Sequence, residues 1–458
     1  MTVGLRHSAA RILPLAWPVL VGQLAVLAFG TVDTVLVARA SALDLAALAI
    51  GGAAYVTVFI GLMGVVLAIG PIAGQLFGSR QLHEAGRQLH QAGWLAIGLS
   101  VIGCLALLFP QPILALARTS PDVAEEVRGY LTALAVALPP ALLFTAFRGF
   151  NTSVSRPKIV MTVQLIGLAL KVPLTAMLVF GWRGGHVPAL GATGCGIATA
   201  IVMWTQFAVA AWIIRHDRFY APFGLHSGGI APPDRASLLA IVRLGVPMGM
   251  SVLIEVTGFT FMAFFIARMG TTPVAGHQLA SNLVTMMFMV PLSLGNATAA
   301  LVAQRIGAAD LPDARRLGWH GLQIALLVGA LLGTGVYAAR EGVLGLYTND
   351  AVIVAAAMPL LAWVAVFHIA DAGQTVTSFV LRAHRITTAP VLIYAFAIWG
   401  VGLGGGFVLG FDTLGLTPAG LHGARGFWAA STTGLTIAAL GLVGFLQWVL
   451  RQRCLDEA

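Results

Sequence analysis

Charged residues are scarce in this chain: they make up 9% of its 458 residues, whereas soluble domains carry about 25%. Hydrophobic residues make up 58%, and the mean hydropathy is +0.90. So few solvated groups cannot cover a soluble domain of this size, and the chain is too apolar to remain disordered. The composition therefore predicts an integral membrane protein and excludes a cytosolic enzyme.

Cysteine is also rare. Cys104, Cys195 and Cys454 are too few and too far apart in the sequence to form a disulfide framework or a metal site. We expect all three to be packing or tail residues.

Motifs for nucleotide chemistry are missing. A phosphate-binding loop needs a Gly-Lys pair, but Lys158 and Lys171 follow proline and leucine. The glycines of WGVGLGGGFVLG match G-x-G-x-x-G, yet they lie in an apolar stretch with no preceding strand. Close helix packing explains that run better than dinucleotide binding. We expect no ATP, no dinucleotide and no other cofactor.

Long apolar runs, in contrast, fill the sequence. A membrane crossing needs about 20 apolar residues, and the first run, Ile12 to Ala38, is too long for a cleaved signal peptide. We predict an all-α, polytopic membrane protein with twelve transmembrane helices, near residues 13–38, 45–74, 92–113, 128–150, 159–180, 191–214, 240–268, 274–304, 318–338, 351–380, 388–411 and 425–450.

An internal repeat is indicated by a shift of 229 residues, which places Pro18 on Pro247 and aligns GQLFGSRQLHEAGR (74–87) with AQRIGAADLPDARR (303–316). The polar stretch 215–238 lies at the middle of the chain. We therefore predict two six-helix bundles: an N-terminal lobe (1–220), a cytoplasmic linker (221–238) and a C-terminal lobe (239–458). An even number of helices per bundle makes this a parallel repeat, with its axis along the membrane normal.

The net charge of +9 does not indicate nucleic-acid binding, because the basic residues are scattered rather than clustered on one face. Cytoplasmic loops of membrane proteins are enriched in Lys and Arg. With a cytoplasmic N-terminus, the basic residues on the opposite side are few: Arg39, Arg118, Arg128, Arg183, Arg268, Arg340 and Arg425. Both termini and the linker are therefore predicted to be cytoplasmic.

Four ionisable residues lie at membrane depth: Asp33, Lys171, Glu255 and Asp371. Because such groups are expensive to insert, each one is a functional hypothesis. The alternative is that they only hydrogen-bond neighbouring helices. Desolvation favours the protonated form of a carboxyl group, which suits it to exchanging a proton or Na⁺ and to attracting a cationic substrate. We predict cation coupling at Glu255, Asp371 and Asp33, with the first two as candidate Na⁺ ligands.

The eighth span carries a polar stripe of Gln278, Asn282 and Thr285, with Met286 next to it. These residues are candidate substrate contacts, or else they only hold the bundle together. Phe259, Phe288 and Met286 either face lipid or the core, or line a compliant apolar cavity for varied ligands.

The sequence resembles the MATE (multidrug and toxic compound extrusion) family of exporters, in particular its NorM subgroup, over nearly its whole length. The resemblance is carried by PVLVGQLAVLAFGTVDTVLVARASALDLAA, AGQLFGSRQ, ALGATGCGIAT, LIEVTGF, AGHQLASNLVTMMFMVPLSLG, LYTNDAVIVA and IADAGQTV. It implies twelve helices in two lobes around a V-shaped cleft. It also implies export of cationic or amphiphilic drugs in exchange for inward H⁺ or Na⁺, by a monomer in the bacterial inner membrane.

The resemblance also assigns individual residues. Asp33, Glu255 and Asp371 match the family's acidic residues in helices 1, 7 and 10, and Gln278 matches a polar position near substrate. Lys171 departs from the family, whose members typically carry Asn there. We predict that Lys171 pairs with Asp33, since an unpaired buried lysine would be expensive, and that this shifts the coupling role to Glu255 and Asp371.

Two other functions stay open at this stage. A lipid-linked saccharide flippase of the same superfamily should show a strongly basic cavity for pyrophosphate. A membrane-embedded lipid-modifying enzyme should show catalytic residues converging at one interface. Apart from Lys171, the charges at membrane depth are acidic and lie in separate helices. We therefore expect an exporter and no enzyme.

Overall fold

The computed structural model describes residues 3–117, 120–181, 188–226 and 229–455. Within these ranges the chain forms α-helices joined by short turns. They are α1 (Val3–Ala38), α2 (Ala42–Val66), α3 (Ile69–Gly78), α4 (Leu82–Leu108), α5 (Gln111–Ala117), α6 (Pro121–Ser153), α7 (Pro157–Phe180), α8 (Gly191–His216), α9 (Arg235–Ala267), α10 (Thr271–Gly307), α11 (Leu311–Ala338), α12 (Arg340–Tyr347), α13 (Ala351–Ala357), α14 (Leu360–Ala383), α15 (Thr388–Tyr394), α16 (Gly405–Phe411) and α17 (Ala424–Leu455). Residues Arg218–Phe223 and Ala419–Leu421 are 3₁₀ turns, and Ala395–Gly404 is a π-helical segment.

Twelve of the helical stretches in the described ranges are long and apolar enough to cross a membrane. This confirms the predicted twelve-helix, all-α membrane architecture. Two of the spans are composite: Ala42–Gly78 contains α2 and α3, and Thr388–Phe411 contains α15, the π-helical segment and α16. The orientation read from basic residues stays a prediction, and Arg118 and Arg183 lie outside the described residues.

The chain divides into two compact units. The N unit is Val21–Gly249, and the C unit is Met1–Leu20 together with Met250–Ala458. Each unit has its own buried apolar core. These units differ in two places from the predicted lobes: the start of α1 packs in the C unit, and residues up to Gly249 pack in the N unit.

The predicted linker contacts the N unit where the structure describes it. Tyr220 and Phe223 are buried in the core of the N unit. The Gln91 side chain of α4 donates to the Pro232 carbonyl at 2.8 Å and accepts from the Asp234 amide at 2.8 Å. The described parts of this segment, residues 218–226 and 229–234, are therefore attached to the N unit. Residues 227 and 228 lie outside the described ranges.

Four helix ends share one turn geometry. Arg80 and Ala309 adopt left-handed φ values of 61° and 57°, and Ser155 and Arg385 adopt 62° and 60°. In each turn the amide of the left-handed residue donates to the carbonyl three residues earlier, and the next amide donates to the carbonyl five residues earlier. This is the Schellman pattern. The paired turns lie at corresponding places in the two halves, which supports the internal repeat, itself still a prediction.

Candidate functional site

Two of the predicted acids meet in the C unit through one amide. The Gln374 Nε2 atom donates to Glu255 Oε1 at 3.1 Å and to Asp371 Oδ1 at 3.0 Å. Glu255 lies on α9, and Asp371 and Gln374 lie one turn apart on α14. Asp371 is only 2% exposed. A single amide nitrogen thus holds two carboxylates together at membrane depth.

Neighbouring hydroxyl groups complete the cluster. Positions three and four residues apart lie on one helix face, so Thr375 joins Asp371 on α14, with Oγ1 3.5 Å from Asp371 Oδ1. The Tyr394 hydroxyl, at the end of α15, donates to Gln374 Oε1. The amide is therefore bound at both ends. We call Glu255, Asp371, Gln374, Thr375 and Tyr394 the acid cluster.

Two basic side chains lie next to the acid cluster. Arg382, two turns beyond Gln374 on α14, interacts electrostatically with Glu255, and its guanidinium lies 4.6 Å from the Phe379 ring centroid. His368 is buried, and its Nδ1 atom is 4.0 Å from Asp371 Oδ2, beyond hydrogen-bond distance. Among the described residues, Asp371 Oδ2 has no hydrogen-bond donor. One carboxylate oxygen is thus left with free lone pairs in a buried place.

A cavity of about 30 Å³ adjoins Glu255. This is room for a water molecule or a small cation. Gly258 allows the π-helical segment to approach α9 closely, because a Cβ atom there would lie 2.7 Å from Ile398 Cγ2. The lining is otherwise apolar apart from one hydroxyl, and consists of Glu255, Gly258, Phe259, Met262, Phe367, Ile398, Gly402, Leu403, Ser431 and Leu435.

The other predicted acid lies in the N unit, beside the predicted lysine. Lys171 Nζ is 2.9 Å from Asp33 Oδ1, and the Lys171 side chain is 0% exposed. The ammonium also donates to Thr199 Oγ1, whose hydroxyl donates to the Cys195 carbonyl at 3.0 Å. The ammonium therefore has an oxygen partner on each side, and the carboxylate of Asp33 has a fixed counter-charge.

Comparison with known proteins identifies the family. A family model described as MatE matches residues 18–177 and 247–408. The chain belongs to the MatE family. The resemblance noted in the sequence is therefore confirmed.

Relatives match this MatE chain over almost its full length. The Probable multidrug resistance protein NorM of Aromatoleum aromaticum is 39% identical over 447 residues, covering 97% of this chain and 95% of the relative. The Multidrug resistance protein MdtK of Photorhabdus laumondii is 32% identical over 449 residues, covering 97% and 96%. The crystal structure of the Vibrio cholerae MATE transporter VcmN in the bent form has the same fold, with a TM-score of 0.86, 19% identity and 99% coverage of both chains.

The remaining predicted residues of this MatE chain are more dispersed. Phe259 lines the cavity with Glu255, its ring centroid 5.6 Å from that of Phe367. Gln278 and Asn282 are exposed on α10 and bond each other at 3.1 Å. Met286 is 51% exposed on the same helix, and the Tyr347 hydroxyl lies 3.8 Å from its sulfur. Phe288 is partly buried. Gln278, Asn282 and Met286 are thus exposed side chains of α10, and of these five candidates Phe259 is the one that lines the cavity next to Glu255.

Sequence reasoning missed some members of these sites. Tyr394 lies in the apolar run VLIYAFAIWG, Thr199 lies in a small-residue helix, and neither carries a charge that would mark it. Cys195 was expected only to pack; it is buried in the core and also interacts with Asp33. Arg382 is one of the basic residues that the charge distribution predicts to lie on the cytoplasmic side. Its interaction with Glu255 depends on how α9 packs against α14, which a single sequence does not reveal.

Proposed function

We propose that this chain is a secondary active exporter that moves cationic and amphiphilic drugs outward in exchange for inward H⁺ or Na⁺. The observation that carries the proposal is the acid cluster: two carboxylates on one amide, one of them with an unpartnered oxygen, beside a small cavity. Relatives named multidrug resistance proteins support the drug substrates. The family supports alternating access and the absence of ATP from the cycle.

Glu255 and Asp371 hold the coupling cation in this proposal. Carboxylate and hydroxyl oxygens are hard ligands that suit Na⁺, and the same carboxylates bind a proton when no metal ion is present. Gln278 and Asn282 of the polar stripe, together with the neighbouring Met286, contact the drug. Binding of the cation and binding of the drug exclude each other. The protein acts as a monomer in the bacterial inner membrane, with both termini in the cytoplasm.

Asp33 has a different role. Its carboxylate is neutralised by Lys171 at 2.9 Å, and a cation that replaced this partner would have to displace a buried ammonium. We therefore assign Asp33 a structural role and the coupling to the acid cluster. The same pairing weighs against a flippase, because Lys171 is not available to a pyrophosphate group.

Transport by the purified protein in liposomes tests the proposal, with ethidium as the fluorescent cation and with pH and Na⁺ gradients imposed separately. We expect one gradient or both to drive ethidium transport. The variants Glu255→Gln and Asp371→Asn should lower the gradient-driven rate about tenfold or more, since one lost cation interaction exceeds about 1.4 kcal/mol. The control Glu125→Gln, an exposed acid of the N unit, should transport like wild type.

Two results would contradict the assignment. If wild-type protein moves ethidium without any response to either gradient, the chain is not an ion-coupled exporter. If Asp33→Asn abolishes coupling while Asp371→Asn retains it, the coupling acid lies in the N unit.

A further inference from the structure

The Gln374 amide bridges the two acids of the acid cluster. Its NH₂ group carries partial positive charge and donates to Glu255 and Asp371 at 3.1 and 3.0 Å. A cation that bridges the two carboxylates needs the same oxygen atoms. A carboxamide has only two N–H bonds, and Thr375 Oγ1 also lies 3.0 Å from Gln374 Nε2, so the two acids and this hydroxyl group share both N–H bonds.

Tyr394 fixes the amide in this orientation. Its hydroxyl donates to Gln374 Oε1 and thereby uses the acceptor end of the side chain. Tyr394 is fully buried, so neither group exchanges this partner for bulk water. The bond from Tyr394 therefore directs the NH₂ end, rather than the carbonyl end, to the two acids.

We propose that Gln374 is a positioning residue that substitutes for the coupling cation in the ion-free state, and that Tyr394 holds it there. This inference rests on the proposed function in one respect, that Glu255 and Asp371 bind the ion. Without the amide, the buried Asp371 and the partly buried Glu255 would face each other with Arg382 as the nearby positive group and with His368 4.0 Å from Asp371. The amide lowers the cost of losing the ion, and so it weakens ion binding enough to allow release.

The opposite arrangement makes the opposite prediction. If Gln374 were an ion ligand, its carbonyl oxygen would contact the cation, and its removal would weaken ion binding. If it is a competitor, its removal strengthens ion binding and slows release. The direction of the change in ion affinity therefore separates the two roles.

The experiment measures the half-saturating Na⁺ concentration at fixed pH, and separately the pH midpoint without Na⁺, for ethidium transport by full-length protein in liposomes. Charged hydrogen bonds contribute about 1.5–3 kcal/mol, so Gln374→Leu should lower the half-saturating concentration about tenfold or more and reduce the maximal rate. Tyr394→Phe should shift it in the same direction, by about threefold. In the measurements without Na⁺, both variants should raise the pH midpoint of ethidium transport, because the acids bind a proton more tightly when the amide does not compete.

Matched controls are available in the C unit. Gln323→Leu replaces an exposed glutamine of α11. Tyr337→Phe removes a hydroxyl but keeps the ring that lies 4.6 Å from the Arg340 guanidinium. Both should keep the wild-type ion dependence.

Thermal unfolding at increasing Na⁺ gives a second measure of ion affinity, because a ligand that binds only the folded protein raises its stability. A half-saturating concentration that rises or stays within twofold of wild type in Tyr394→Phe and Gln374→Leu would overturn the inference. Wild-type protein without any ion dependence would instead overturn the proposed function, so the two failures are distinguishable.

Discussion

The two units each contain a buried acid site, and they stabilise it in different ways. In the N unit, Asp33 lies 2.9 Å from a lysine that is itself inaccessible to solvent. In the C unit, Glu255 and Asp371 share a neutral amide, and one oxygen of Asp371 has no donor among the described residues. The lysine neutralises Asp33 directly. The amide of Gln374 carries no net charge, and Arg382 interacts with Glu255, so the charge of Asp371 is left to be balanced by a mobile cation. The comparison suggests why only one of the sites is suited to exchange.

Removal of Lys171 should give the largest effect on stability. Breaking a buried ion pair by removing one partner destabilises a protein by about 3–5 kcal/mol, since it leaves a buried charge uncompensated. We expect Lys171→Met to lower the free energy of unfolding by this amount, measured by denaturation in detergent micelles. Lys158→Met, at an exposed lysine of α7, is the control.

The double variant Lys171→Met/Asp33→Asn should recover most of the lost stability, because it removes both charges. If the double variant is as unstable as Lys171→Met alone, the lysine stabilises the N unit by packing, and the contrast between the two sites loses its electrostatic basis.

Neutralising an acid in the C unit should change stability less than the removal of Lys171, and it should raise stability rather than lower it. Glu255 and Asp371 are like charges held close together, so Asp371→Asn removes repulsion in the ion-free protein. In Na⁺-free buffer, we expect the free energy of unfolding of this variant to equal that of wild type or to exceed it by up to about 1 kcal/mol. The stabilisation of wild-type protein by added Na⁺ should disappear in this variant. A loss of several kcal/mol would show that Asp371, like Asp33, already has a fixed partner.

The sequence predicted the charged residues of both sites, because charged groups are the most expensive to insert into lipid. Charges at membrane depth are conspicuous against 58% hydrophobic residues. A buried Lys171 without a partner would be expensive, and this predicted its pair with Asp33. The twelve spans followed from hydropathy for the same reason. Gln374 lies one helical turn after Asp371 in the sequence, but its bond to Glu255 depends on the packing of α9 against α14. Tyr394 and the π-helical segment could not be predicted from hydropathy. Tyr394 carries no charge, and a π-helix has the same apolar composition as an α-helix.

A partly exposed ion pair in the N unit should contribute least to stability. Arg156 Nη1 lies 2.5 Å from Asp217 Oδ2, with side chains 29% and 33% exposed. The hydrogen bond from the Phe219 amide lowers the pKa of Asp217 below its ordinary value of 3.8, and the ion pair with Arg156 lowers this pKa further. Asp217 therefore contributes stability that is present above pH 3.8 and is lost as the pH falls through the lower folded-state pKa.

Exposed pairs contribute about 0.2–1 kcal/mol, so Asp217→Asn should destabilise the protein at pH 7 by no more than this. The difference in stability between this variant and wild type should vanish below the pH at which Asp217 becomes protonated. It should also shrink in about 1 M NaCl, because salt screens exposed charges. Melting temperatures measured across pH and salt check both trends. The effect of Lys171→Met should persist in the same salt, since a buried pair is screened much less. If salt abolished the effects of Asp217→Asn and Lys171→Met equally, burial would not explain the difference between the two ion pairs.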